Sequence, residues 1–199
     1  MQAQLRDVQH IYSTWTAFAA VLGDGRVVTW GEAGCGGDSG AVQEQLRDVR
    51  HISSTERAFA AVLGDGRVVT WGEPGRGGDS MAVQAQLRDV QHISSTSWAF
   101  AALRGDGRVV TWGQAENGGD SMAVPQQLRD VRHIGAAWRS CAARLHDGRD
   151  VTWCLAAHGG DSRAVQAQPP ADQHISAPRT ALAPTLSSHN AHTCPPPRP

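Results

Sequence analysis

Apolar residues along this chain gather into short runs that return every 41 residues. In one unit, Val49-Arg50-His51-Ile52-Ser53 is followed by Ala58-Phe59-Ala60-Ala61-Val62-Leu63 and then by Arg67-Val68-Val69-Thr70-Trp71. Gly64-Asp65-Gly66 separates the second run from the third. Asp-Gly between two apolar runs predicts a tight hairpin, because both residues tolerate the positive φ such turns demand. Ala and Leu in the second run favour helix, but a run this short, stopped by Gly-Asp-Gly, cannot sustain one, so it reads as a strand. That strand is apolar on both faces. A sheet with one wet face alternates, whereas a blade held between neighbouring blades does not, so the pattern predicts blades stacked face to face. The interval Gly72–Asp89 is polar and Gly-rich and holds either a fourth short strand or a helical turn around Ala82–Leu87.

The period is carried by Trp30, Trp71, Trp112 and Trp153, by Gly25, Gly66, Gly107 and Gly148, and by His10, His51, His92, His133 and His174. Leu46–Gln86 and Leu87–Gln127 are identical at 30 of 41 positions, which makes tandem duplication the dominant fact of the sequence. Four units result, near 5–45, 46–86, 87–127 and 128–168. Pro169, Pro170 and Asp172 interrupt a fifth, and 169–199 reads as a decayed unit running into a Pro-rich disordered tail.

Each unit carries Val-x-x-Ile, a short loop, an apolar strand, Asp-Gly-Arg-Val and Trp-Gly. That series resembles the repeat of the regulator-of-chromosome-condensation (RCC) family over roughly Leu5 to Ser162. Asp24-Gly25, Asp65-Gly66, Asp106-Gly107 and Asp147-Gly148 match its turn, and Trp30-Gly31, Trp71-Gly72 and Trp112-Gly113 match its strand end. Two features depart from it. Thr55-Glu56-Arg57-Ala58 stands where the family places a Gly pair and a His, and Gly77-Gly78-Asp79-Ser80 replaces its Gly-Gln-Leu-Gly. The resemblance implies a β-propeller of seven blades, against four units here. WD-repeats are set aside because Gly follows each matching Trp, and aspartate boxes because Asp65 lies six residues before Trp71. The expected architecture is all-β: a propeller-like array of four three- to four-stranded antiparallel blades. Of a closed four-bladed ring, two paired chains, and an incomplete propeller or part of a longer protein, the last is the expectation.

Composition adds exclusions. Net charge is −1, from 18 basic residues, all Arg, against 19 acidic ones. No global field draws the chain to nucleic acid or an anionic membrane. No apolar stretch reaches bilayer-spanning length. Cys35, Cys141, Cys154 and Cys194 fall at unrelated repeat positions, unlike a disulfide framework or zinc site, and isolated thiols point to the cytoplasm or nucleus.

Repeated polar columns read as structural. The His column is expected to pack on strands without converging on a metal, and Asp38-Ser39, Asp79-Ser80, Asp120-Ser121 and Asp161-Ser162 are expected to cap turns. Arg26, Arg67, Arg108 and Arg149 each lie two residues from an Asp, which cancels their charge locally. In the fourth unit, Asp150 replaces Val and is expected to place a carboxylate against a blade core.

The units differ mainly before the second strand and after Trp-Gly. In an antiparallel meander both places lie on one rim, opposite the constant Gly-Asp-Gly hairpins. Variable loops bearing Trp and Arg on a fixed frame have the composition of a recognition surface, and drift of unconstrained loops is the other reading. The candidate partner-binding residues are Trp15, Arg57, Arg76, Trp98, Asn117, Trp138 and Arg139. No catalytic, cofactor-binding or metal residue is expected. The functional expectation is a non-catalytic protein-binding scaffold. The resemblance implies roles such as GTPase regulation or substrate capture for a ubiquitin ligase. An enzyme inhibitor, or a duplicate without independent function, is the alternative.

Overall fold

The computed structural model describes residues 5–154 apart from 123 and 125. The end of the fourth unit, 155–168, with the expected cap Asp161-Ser162, and the decayed fifth unit and tail, 169–199, with His174, lie outside the described residues. Four antiparallel three-stranded sheets follow one another along the chain. They are β1 (Val8–Ser13), β2 (Ala17–Leu22) and β3 (Val27–Gly31); β4 (Val49–Ser54), β5 (Ala58–Leu63) and β6 (Val68–Gly72); β7 (Val90–Ser95), β8 (Ala99–Arg104) and β9 (Val109–Gly113); and β10 (Val131–Ala136), β11 (Ser140–Leu145) and β12 (Asp150–Cys154). Each sheet is an up-down-up meander. A one-residue register shift falls in the first strand of every sheet, as between Val49 and His51.

Of the two alternatives for the interval after Trp-Gly, a helical turn is present. Short 3-10 turns form at Gln43–Gln45 and Gln84–Gln86, and others at Ala33–Cys35, Pro74–Arg76 and Ala115–Asn117. Among the described residues each blade therefore has three strands. Ser80 ties the loop back to its blade: its hydroxyl pairs with that of Thr70 at 2.9 Å and donates to Gln84 Oε1 at 2.7 Å. Gln84 Nε2 then donates to the Val68 carbonyl at 2.9 Å. Asp79 accepts the Met81 amide at 2.8 Å, a turn cap like those at Asp38 and Asp120.

The blades stack face to face, as the two-sided apolar strands require. All six residues of β5 are buried. One face is small and the next is bulky: Ala17, Ala19 and Val21 of the first blade pack against Ile52, Phe59 and Trp71 of the second. Trp71 Nε1 donates to the Gly36 carbonyl at 3.0 Å, and Trp112 repeats the bond to Gly77 at 3.0 Å. Gly77 has φ +96, and a Cβ there would stand 2.5 Å from the Phe100 ring. Only glycine meets both demands.

Two further joints link the blades. On the constant rim, the Val49 amide donates to Gly25 of the preceding hairpin at 3.0 Å, and Asp48 turns through φ 53 beside it. Asp is among the few residues whose short polar side chain tolerates that conformation. On the variable rim, the amides of Trp15, Glu56 and Ser97 donate to the carbonyls of Glu56, Ser97 and Trp138 of the next blade, at 2.9 to 3.0 Å. The first blade has a bare face: Ile11 is 56% exposed and Phe18 42%, where Ile52 is 1% and Phe59 0%.

Asp150 corrects the sequence expectation. It does not stand bare against a core but pairs with Arg144, its cross-strand neighbour, through bonds of 2.8 and 2.9 Å. In the other blades the same pair is Val21 with Val27, Val62 with Val68 and Leu103 with Val109. An apolar pair has thus been replaced on both strands by a fork-to-fork ion pair, which compensates the carboxylate.

Candidate interaction rim

The loops before each second strand and after each third strand meet on one rim. Thr55 fixes the first by accepting the Ala58 amide at 3.0 Å and joins it to the second by donating to the Arg76 carbonyl at 3.1 Å. Thr96 repeats the joint to the Asn117 carbonyl at 2.8 Å. With the backbone held this way, the intervening side chains are free to vary.

They converge across three blades. The Arg76 guanidinium lies 4.4 Å from the centre of the Trp98 ring, and that of Arg139 lies 4.6 Å from it. Arg139 also stands 5.1 Å from the Trp138 ring. Such contacts contribute about 0.5–1 kcal/mol each at exposed sites and more when desolvated. Glu56 sits beneath the aromatic pair: Trp98 Nε1 donates to it at 2.7 Å and Trp138 Nε1 at 3.5 Å. Arg57 pairs with Glu73 at 3.3 Å, and Arg76 approaches the same carboxylate at 3.7 Å. Glu32, at the first-blade end, is held below the usual carboxylate range by the Thr16 hydroxyl, the Cys35 thiol and the charge of Arg57.

Five of the seven sequence candidates therefore belong to one surface: Arg57, Arg76, Trp98, Trp138 and Arg139. Trp15 is 66% exposed and reaches it through its backbone bond to Glu56. Asn117 is placed differently: it is buried, with Nδ2 donating to Gln114 at 3.0 Å, and its side chain is not on the rim. Glu56 was missed as a site residue. Its signal was the lone acid in a column otherwise filled by Trp15, Ser97 and Trp138.

The opposite rim shows self-neutralised charge. Arg67 Nε pairs with Asp65 at 2.6 Å, and the Arg67 backbone and side-chain bonds hold the Asp65 carboxyl low; Arg26 with Asp24 and Arg149 with Asp147 repeat this. The His column converges more than equivalent positions around a wide ring would. The first strands of successive blades lie side by side, so His51 stacks on His92 with ring centres 6.3 Å apart. Tyr12 abuts His51 from the other side, its hydroxyl 3.3 Å from Nδ1. Among the described residues no group of three or more His, Cys, Asp or Glu side chains is arranged to hold a metal. No helix among them is long and apolar enough to cross a membrane.

Neither a protein-family profile nor a curated protein matches the sequence. Solved structures do. These blades are propeller blades. The chain is similar to yeast Prp20p, described with its binding to Gsp1p and histones, at TM-score 0.55 and 16% identity over 78% of this chain and 46% of that one. It is also similar to human WBSCR16, at TM-score 0.52 and 16% identity over 77% and 49%. A third likeness is the CRINKLY ectodomain of the Arabidopsis thaliana receptor kinase ACR4, at TM-score 0.52 and 13% identity over 74% and 52%. The chain spans about half the length of these structures, and the likeness is one of fold.

Proposed function

We propose that the chain is an array of RCC-type repeats acting as a non-catalytic protein-binding scaffold, with the variable-loop rim as its contact surface. The observation that carries this reading is the run Arg76–Trp98–Arg139–Trp138 around Glu56. Trp and Arg are the residues most enriched at energetic centres of protein interfaces, and here they are ordered before any partner arrives. Prp20p, a fold relative, is described as binding Gsp1p and histones, which supports a protein partner as the class of ligand. A role in GTPase regulation, substrate capture or enzyme inhibition then follows from the partner's identity. The test is quantitative capture by the full chain, by Trp138→Ala with Arg76→Ala, and by the hairpin-rim control Arg67→Ala. A partner kept by the wild type and the control but lost by the rim variant supports the reading. Partners indifferent to the rim variant refute it.

A further inference from the structure

Arg139 differs from the other charged groups of the rim. Arg57 and Arg76 share Glu73, and the Glu56 carboxylate is occupied by two indole N–H groups. Among the described residues Arg139 has no carboxylate partner. Its guanidinium carbon lies against two rings, at 4.6 and 5.1 Å, and its Nε is buried without a hydrogen-bond partner. The terminal nitrogens are therefore the part of the group left to meet a ligand. Their planar edge matches a carboxylate through two parallel charge-assisted bonds, and a stacked guanidinium is both oriented and weakly hydrated beforehand.

We infer that Arg139 is the seat for a carboxylate of an acidic peptide segment of the partner, an inference that rests on the rim reading above. Trp138, 42% exposed and 5.1 Å from Arg139, supplies an apolar shelf for a side chain next to that acid. A nucleic-acid backbone fits less well, because its successive phosphates would meet Glu32, Glu56 and Glu73 on the same rim. Arg139, set among these carboxylates, suits one acid on an otherwise neutral segment.

The experiment selects peptides from a random display library on the immobilised full chain and measures their affinities by fluorescence anisotropy. The expected peptides carry Asp or Glu at one recurring position. They weaken about ten- to a hundredfold on Arg139→Gln, the range for a hydrogen-bonded charge, and regain part of that on Arg139→Lys. They also weaken on Trp138→Ala, and thermal melts show that the variants remain folded. Peptides lost on Trp138→Ala but indifferent to Arg139→Gln, with no acidic position, overturn the seat and leave the rim reading standing. Peptides that bind every variant equally overturn both.

Discussion

Replacing the same phenylalanine in two blades separates stacking from mere strand propensity. Phe18 and Phe59 occupy equivalent positions, opposite Trp30 and Trp71, with ring centres 5.3 and 5.1 Å apart. Phe59 is fully buried beneath Gly36, whereas Phe18 lies on the bare face of the first blade, 42% exposed. Phe59→Ala removes a core ring and leaves a cavity, at a cost of about 3–5 kcal/mol. Phe18→Ala leaves no cavity and loses part of a ring's burial and one aromatic contact, about 1–1.5 kcal/mol. At about 2–4 °C per kcal/mol for a chain of this size, Phe59→Ala lowers the melting temperature by roughly 6–20 °C and Phe18→Ala by roughly 2–6 °C. Circular dichroism melts and urea midpoints of the two variants, measured in parallel, decide the matter. Equal losses would refute the reasoning, since they would mean that the first-blade face is covered in solution as the inner faces are.

Gly77→Ala meets both positive φ and the Phe100 ring and should cost about 2–4 kcal/mol, while Gly75→Ala, with open space around it, should stay within about 0.5 kcal/mol by urea titration. Asp150→Val leaves Arg144 facing an apolar neighbour and should cost about 1–3 kcal/mol, whereas Arg144→Val with Asp150→Val restores the pairing of the other blades and should be near neutral. A double-mutant cycle without coupling would contradict this. Burial, then neighbouring histidines, lower the affinity of His51 and His92 for protons. The unfolded chain therefore binds more protons near and below the ordinary histidine range around 6.5, so the stability is complete above that pH and declines as pH falls through the lowered folded values. Melting temperature should drop between pH 7 and 5, and His51→Gln with His92→Gln should flatten the slope.

Much of this architecture was legible because one period governs both chemistry and geometry. Alternation failing in Ala58–Leu63 announced burial on both faces, and Asp65-Gly66 fixed the hairpin that puts both variable loops on the other rim. What was not legible depends on the offset between blades. Arg76 and Trp98 are 22 residues apart and belong to different units, so no local spacing marks them as a stacked pair. The closeness of His51 and His92 follows from first strands lying side by side, which a repeat period does not convey. Asp150 was misread for a related reason. Its compensation sits on the opposite strand at Arg144, and only the register brings the two together.

Among the described residues every ladder of backbone hydrogen bonds closes within its own blade, while the joints between blades are single bonds and side-chain contacts. A chain held by its ends and stretched would therefore yield in whole blades. Each event releases a 41-residue unit, about 140 Å of contour at roughly 3.5 Å per residue. The near-identical inner joints should rupture at similar forces. The joint between the third and fourth blades, where Cys141 replaces the phenylalanine of the others, should give way first. Mechanically, the described blades form a row of near-equal links with one weaker link between the third and the fourth.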